Sequence, residues 1–138
     1  QVRILRERSQ QEPLEQVEPV MRREELIAAI SRVRQVHVDD QIYDYIARLA
    51  EVTRTHPLLK LGISPRGALA LCRTGKARAF AEGRDFVVPE DVTQMAEYVF
   101  AHRLVLSSKA RLNEYTPEAI VAEVLAQTQP PVLSERRA

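Results

Sequence analysis

The chain has 138 residues, of which 45% are hydrophobic and 28% charged, a composition typical of a folded globular protein. Its 20 Lys and Arg residues nearly balance 19 Asp and Glu residues, so the net charge of +1 gives no global attraction to nucleic acid or to an anionic membrane. No apolar run approaches the roughly 20 residues that cross a bilayer, and Cys72 stands alone, so we expect a cytoplasmic protein without a membrane span, a disulfide framework or a cysteine-ligated zinc.

Both ends of the chain differ in composition from its middle. Residues 1–20 are rich in Gln, Glu and Arg, contain two prolines and have neither a sustained hydrophobic period nor the apolar core of a secretory signal. Pro130 and Pro131 close the folded part. The composition therefore predicts an incoming linker at residues 1–20, a folded domain at residues 21–128 and a polar tail at residues 129–138.

The first two helices are predicted from hydrophobic spacing. Residues 22–35 place four apolar side chains on one helix face: Leu26, Ile27, Ile30 and Val33. The second helix can be capped by Asp39 or Asp40, carries apolar residues at spacings of three and four, and ends before Pro57. Residues 58–63 are expected to form a loop.

A third helix is predicted to begin at Ser64 and Pro65. A serine hydroxyl can accept a free backbone N–H, and proline lacks the N–H that the first turn would leave unbonded. The helix is expected to run to about Glu82 and to stop at Gly83. Its inner face is predicted to consist of small residues that allow close approach of another helix, namely Ala68, Cys72, Gly75 and Ala79, with Leu69 and Phe80 beside them. Lys76 falls near that face without an evident reason.

The rest of the chain adds two helices and two short extended segments. Residues 86–88 are apolar and predicted to be extended, and Pro89 opens a fourth helix with two acidic residues in the first turn, where the helix dipole favours them. Residues 104–106 are again expected to be extended, and the last helix begins at Thr116. The predicted fold class is all-α, a compact bundle of about five helices with at most short strand-like segments.

Motifs for catalysis are absent from this sequence. No G-x-x-x-x-G-K-[ST] loop is present, and Thr74-Gly75-Lys76 lies inside a helical pattern without the first glycine of that motif. The three histidines lack a spacing that would place two metal ligands on one helix face, and no serine lies in a G-x-S-x-G turn. The segment by itself is therefore predicted not to be an enzyme and to bind no metal.

The position of Arg66 is not explained by a contribution to the stability of the fold. It lies in the first turn of the third helix, where the positive end of the dipole disfavours a cation by roughly a few tenths of a kcal/mol. Helical side chains lean toward the N-terminus, so its guanidinium should project off the helix end, beside backbone N–H groups that favour anions. A residue that breaks a local stability rule is a candidate functional residue, and a plain surface arginine is the alternative interpretation.

Several short runs resemble one protein family. Residues 61–68, LGISPRGA, resemble the G-[AI]-S-P-R-A sensor 2 segment of MoxR-type AAA+ ATPases, and residues 83–92, GRDFVVPEDV, resemble their G-R-D-[YF]-V-x-P-x-D-V stretch. Three further runs fit at the expected spacing: VHVD at 36–39, TRTHP at 53–57 and HRL at 102–104. Gly67 stands where the family usually has alanine. The chain therefore resembles the C-terminal lid domain of such an ATPase.

The resemblance implies a function divided between domains. An upstream ATPase core, joined through the linker, would bind ATP and Mg²⁺ in the full-length protein, while neither is expected in the isolated fragment. Arg66 would be the sensor 2 residue and the one catalytic contribution of this domain, with Ser64 and Pro65 on the side of the ATP phosphates. Further implied partners are neighbouring subunits of a homo-oligomeric ring and a client or von Willebrand factor A-type protein that is remodelled or matured. The family pattern also assigns Arg84 and Asp85 to bracing the turn before the fourth helix, and Arg54 and Arg103 to structural or inter-subunit roles.

Two other functions remain open at this point. A non-enzymatic protein-interaction module could use exposed aromatic residues such as Tyr43, Tyr98 and Tyr115. A helical DNA-binding domain could use a basic group: Arg73, Lys76, Arg78 and Arg84. The acidic residues that follow this group and the near-zero net charge argue against DNA binding.

Overall fold

The computed structural model describes residues 17–132, which form six α-helices, one 3₁₀ turn and two short strands. The helices are α1 (Arg23–Gln35), α2 (Asp40–Thr55), α3 (Pro65–Ala81), α4 (Pro89–Phe100), α5 (Ser108–Leu112) and α6 (Pro117–Gln127). The strands are β1 (Leu59–Leu61) and β2 (Val105–Leu106), and the 3₁₀ turn is Ala101–Arg103. The predicted all-α class is confirmed, and the short helix α5 is an addition to the predicted set.

The chain divides into two compact units, Gln1–Ser31 and Arg32–Ala138. Most of α1 belongs to the first unit, in which Arg22 donates its backbone N–H to the Glu25 carboxylate at 2.7 Å and pairs with it at 3.2 Å through its guanidinium. The helix is present as predicted, but its apolar side chains are not part of the core: Leu26, Ile27 and Ile30 are 52%, 55% and 47% exposed. Most of the predicted linker and tail lies outside the described residues, so the domain boundaries stay predictions.

The core of the second unit lies among α2, α3, α4 and α6. Its fully buried side chains are Ile42, Tyr45 and Leu49 from α2, Leu71 from α3, Val92 and Phe100 from α4, and Ile120, Val121 and Val124 from α6. The buried residues of α2 and α4 recur at spacings of three and four, so each of these helices turns one apolar stripe inward; they include Ile42, Tyr45, Ile46 and Leu49 in α2, and Val92, Ala96, Val99 and Phe100 in α4. Burial of such stripes is the main favourable contribution to folding of a helical domain.

The ends of the helices follow the predicted capping chemistry. Asp39, rather than Asp40, caps α2 by accepting the Gln41 N–H at 2.9 Å, and Thr116 caps α6 by accepting the Ala119 N–H at 3.2 Å. Helix α3 ends at Ala81, and Gly83 follows in the left-handed region with φ of 76°, which glycine adopts without steric cost.

The inner face of α3 is shifted from the predicted one. Its buried residues are Gly67, Leu71, Gly75 and Ala79, whereas Ala68 and Cys72 are partly buried and Leu69 is 58% exposed. Gly75 and Ala79 are buried as predicted, whereas in the first half of the helix the buried positions lie one residue earlier than predicted, because the buried residues recur at a strict spacing of four. Gly75 still allows the predicted close approach of another helix, because a Cβ built there would lie 4.0 Å from Cγ2 of Val92 in α4.

Two backbone pairings connect the loops. Strand β1 pairs antiparallel with β2, with Leu59 opposite Leu106, so the predicted loop at residues 58–63 contains a strand. His37 forms a parallel bridge with Phe86, which confirms the extended segment before α4. Within the described part of the chain, no helix is both long and apolar enough to cross a membrane.

Candidate functional site

The N-terminus of α3 presents Arg66 to solvent. Ser64 caps the helix, since its hydroxyl accepts the Gly67 N–H at 3.3 Å, and Pro65 occupies the first helical position. The side chain of Arg66 is exposed and makes no hydrogen bond or salt bridge within residues 17–132. The expected group of free donors is smaller than predicted, because Ser64 also accepts the Ala68 N–H through its carbonyl at 3.1 Å. In this first turn, only the Arg66 N–H lacks an acceptor among the described residues.

The peptide that leads into this helix is held by the C-terminal end of α2. Thr53 is fully buried, and its hydroxyl accepts the Ile63 N–H at 2.8 Å while donating to the Ala50 carbonyl at 2.6 Å. Arg54 donates its Nε–H to the Ile63 carbonyl at 2.9 Å. Both backbone polar groups of Ile63 are therefore bonded to two consecutive side chains of α2.

Gly62 permits this close approach of the two segments. A Cβ built on Gly62 would lie 2.5 Å from the carbonyl carbon and oxygen of Thr53 and 2.6 Å from the backbone nitrogen of Arg54. These are backbone atoms that cannot move aside, so only glycine fits at this position. The contacts of Thr53 and Gly62 were not predicted from the sequence. The available signals were a polar threonine within the apolar stripe of α2 and the places of Thr53 and Gly62 in the runs TRTHP and LGISPRGA.

Gly67 stands where the family that the motifs resemble usually has alanine, and little space surrounds it. A Cβ there would lie 2.8 Å from Cγ2 of Ile63 and 3.4 Å from Cδ of Arg103. Ile63 is 1% exposed and has little room to yield. The glycine thus allows Ile63 and the aliphatic stem of Arg103 to pack against the first turn of α3. Arg103 also donates to the Val99 carbonyl and contacts the His102 ring, so its contacts within the domain favour the structural role.

The turn between α3 and α4 is braced by Arg84, as predicted, and the acidic partner of Arg84 is Asp91. The two guanidinium nitrogens of Arg84 each donate to one carboxylate oxygen of Asp91 at 2.7 Å. Asp91 is 1% exposed and also accepts the Val88 N–H at 2.9 Å, which caps α4. Hydrogen bonding to Asp91 raises the pKa of the Arg84 guanidinium above its already high ordinary value. Asp85 is exposed and takes part through its carbonyl, which accepts the His37 N–H at 2.8 Å.

Most of the basic group considered for DNA binding is engaged within the domain. Lys76 donates to the carbonyl of Arg34 at 3.0 Å, which explains its place near the inner face of α3. Arg78 lies 3.5 Å from Glu82 and 3.6 Å from Asp91. Of the four residues, Arg73 is exposed and forms no hydrogen bond or salt bridge within residues 17–132. This use of the charges disfavours the DNA-binding alternative.

A shallow groove of about 330 Å³ runs between α2 and α3, next to the start of α3. Its walls include Tyr43, Leu69 and Cys72, with Pro65 at the end nearest Arg66. Tyr43 is 47% exposed. Burial raises the pKa of the Cys72 thiol, so Cys72 is in the thiol form near neutral pH. Tyr98 and Tyr115 are also exposed, as the interaction-module alternative requires.

Metal ligation is not supported in the part of the chain that the structure describes. Residues 17–132 contain no group of three or more His, Cys, Asp or Glu side chains placed to hold an ion. The carboxylate pair at the start of α4, Glu90 and Asp91, is not available, because Asp91 is bonded to Arg84 and to the cap of α4.

A protein-family comparison identifies the domain. The AAA lid domain family matches residues 51–124, which include the end of α2, the Ser64-Pro65-Arg66 start of α3 and the Arg84–Asp91 turn. The chain belongs to the AAA lid domain family. The fold is also similar to that of a candidate ATPase from Cytophaga hutchinsonii, with a TM-score of 0.82 and 24% identity over 95% of this chain and 42% of that chain.

Similar proteins place this AAA lid domain with the MoxR type, as the sequence motifs predicted. The uncharacterized protein YeaC of Bacillus subtilis is 38% identical over 120 residues, which cover 87% of this chain and 38% of YeaC. Chaperone MoxR1 of Mycobacterium tuberculosis is 33% identical over 97 residues, covering 64% of this chain and 26% of that protein. Protein MoxR of Methylorubrum extorquens is 40% identical over 67 residues, covering 47% of this chain and 20% of that protein. The chain therefore spans between a fifth and two fifths of the length of these relatives.

Proposed function

We propose that this lid senses ATP through Arg66 and couples ATP hydrolysis in the core of the same protein to remodelling or maturation of partner proteins. In this proposal the full-length protein is a cytoplasmic ATPase that works as a homo-oligomeric ring. Arg66 acts as the sensor 2 residue, on the γ-phosphate side of a nucleotide bound by the core domain. The clients would include partners such as von Willebrand factor A-type proteins.

The observation that supports this proposal is the availability of Arg66. Arg54, Arg84 and Arg103 each donate to acceptors within the domain. Arg66 has no such acceptor among residues 17–132, although the helix dipole makes its position unfavourable for a cation. An exposed guanidinium at a helix N-terminus, with a free backbone N–H beside it, fits the chemistry of a phosphate group.

The chemistry expected of Arg66 is electrostatic. A guanidinium stays protonated, is planar, and can donate two parallel hydrogen bonds to phosphate oxygens as negative charge develops on them. When the γ-phosphate is released, the acceptor of these bonds is lost, and the lid is free to turn relative to the core. Such a change in lid position is the step that would transmit force to a partner protein.

The test is the substitution Arg66→Ala in the full-length protein that carries this lid. We expect ATP turnover to fall by roughly 10²-fold, as when one donor to a developing charge is removed. Arg73→Ala is the matched control, because Arg73 is an exposed arginine on the same helix without a partner among the described residues. Steady-state ATPase rates and thermal unfolding of both variants would be compared with wild type. Turnover of Arg66→Ala at the level of Arg73→Ala would refute the sensor role.

A further inference from the structure

The place from which the Arg66 side chain projects depends on backbone that another helix holds in position. Arg66 has no polar contact of its own within residues 17–132, so nothing in its side chain sets where the guanidinium lies. The position of its Cα and Cβ follows from the backbone of Ser64 and Pro65, and Pro65 has a restricted φ. That backbone in turn continues from Ile63, whose N–H and carbonyl are both bonded to the end of α2.

Several contacts together hold Ile63 against the end of α2. The Thr53 hydroxyl uses its acceptor capacity on the Ile63 N–H at 2.8 Å and its proton on the Ala50 carbonyl at 2.6 Å, so it has one orientation. The Ile63 side chain is 1% exposed and anchors the same residue in the core. Gly62 lies so close to the backbone of Thr53 that a Cβ would overlap it at 2.5 Å. The segment before Arg66 therefore cannot swing without breaking several contacts at once.

We propose that Thr53 and Arg54 are positioning residues for Arg66. Together they fix the two peptide units that flank the Ile63 Cα and thereby the start of α3, so that the Cα and Cβ of Arg66 are held at one place relative to α2. Thr53 bonds the Ile63 N–H and Arg54 the Ile63 carbonyl, so the peptide units before and after the Ile63 Cα are both held. The proposal rests on the sensor role of Arg66.

The test uses Thr53→Val and Arg54→Met in the full-length ATPase. Valine keeps the shape of threonine but cannot accept the Ile63 N–H, and methionine keeps an unbranched stem but cannot donate to the Ile63 carbonyl. For each we expect kcat to fall by about tenfold or more, with KM for ATP little changed, because small displacements of a catalytic group cost rate. Thr53→Ser retains the hydroxyl and should return kcat to near the wild-type value.

A double substitution separates positioning from a general effect on folding. If Thr53 and Arg54 act through Arg66, adding either substitution to Arg66→Ala should leave the residual turnover unchanged, and radiolabelled ATP would resolve these low rates. A purely structural role would lower turnover further in the Arg66→Ala background. Ile120→Val, a core substitution on α6, is the control for lost stability. It should lower the unfolding temperature by an amount similar to that of the positioning variants but leave kcat unchanged.

The outcomes distinguish this proposal from the function on which it rests. If Arg66→Ala retains wild-type turnover, the sensor role itself is wrong. If Arg66→Ala is slow but both Thr53→Val and Arg54→Met keep wild-type kcat, the sensor role stands and positioning by α2 is refuted. Arg54 is partly exposed, with a side-chain exposure of 43%, so Arg54→Met gives a folded protein to assay even if Thr53→Val does not fold.

Discussion

The pair formed by Arg84 and Asp91 offers a quantitative test of what stabilises the turn between α3 and α4. The Asp91 carboxylate is buried, and it receives two hydrogen bonds of 2.7 Å from Arg84 and one of 2.9 Å from the Val88 N–H. Arg78 lies farther away, with its Nε 3.6 Å from the nearer oxygen. Substitution Arg84→Met removes the two shortest bonds and leaves a buried carboxylate with one close donor.

The expected cost follows from the burial of the two partners. Removal of one partner from a buried ion pair costs about 3–5 kcal/mol, because the other charge is left without compensation. The Arg84 side chain is 26% exposed, and both the Val88 N–H and Arg78 remain, so we expect the lower end of this range, about 3 kcal/mol. Asp91→Asn should cost less, about 1–2 kcal/mol, because an amide oxygen can still accept the Val88 N–H and the remaining arginine can be solvated.

The assay is urea unfolding of the chain, followed by circular dichroism, for the two single variants and the double variant. With an m value of about 2 kcal/mol per M, a loss of 3 kcal/mol lowers the midpoint by about 1.5 M. The double variant should be more stable than the sum of the single losses predicts, because an uncharged amide at position 91 leaves no buried charge when Arg84 is also replaced. If Arg84→Met loses less than about 1 kcal/mol, or if the two losses are additive, Asp91 does not depend on Arg84 and the reasoning fails.

Two further predictions concern glycine packing and a buried hydroxyl. Gly62→Ala should destabilise the chain by about 3 kcal/mol, since its Cβ would meet the Thr53 backbone at 2.5 Å, whereas Gly75→Ala, with nearest atoms at 3.7 Å and 4.0 Å, should gain up to about 1 kcal/mol of helix propensity. Urea midpoints would check both, and similar values for the two variants would contradict the packing. Tyr45→Phe should leave stability at neutral pH equal or higher, because the buried hydroxyl has no partner in the described residues. Burial raises the pKa of the Tyr45 hydroxyl in the folded chain, so as the pH rises the unfolded chain loses this proton first and the stability of wild type falls above about pH 10. Tyr45→Phe removes this proton and should reduce the fall. Unfolding temperatures measured from about pH 7 to pH 11 would check this.

The sequence alone determined the features that depend on neighbours within one or two helical turns. The start of α3 is an example, because the Ser64 hydroxyl, the ring of Pro65 and the Gly67 N–H act over three residues. The caps at Asp39 and Thr116 are predictable for the same reason. The conspicuous place of Arg66 also followed from local rules, since the helix dipole acts mainly within the first turn.

The tertiary structure decided which residues bond to one another across distant parts of the chain. The bonds from Thr53 and Arg54 to Ile63 span ten and nine residues, and the bond from Lys76 to the Arg34 carbonyl spans 42. Such pairings depend on how closely two segments pack, which hydrophobic spacing does not specify. The same limit explains the one-residue error in the inner face of α3, because Ala68 and Gly67 are both small and only packing against neighbouring residues distinguishes them. Local chemistry therefore placed Arg66 at a helix end, while packing around Gly62 and Ile63 determined how firmly that end is held.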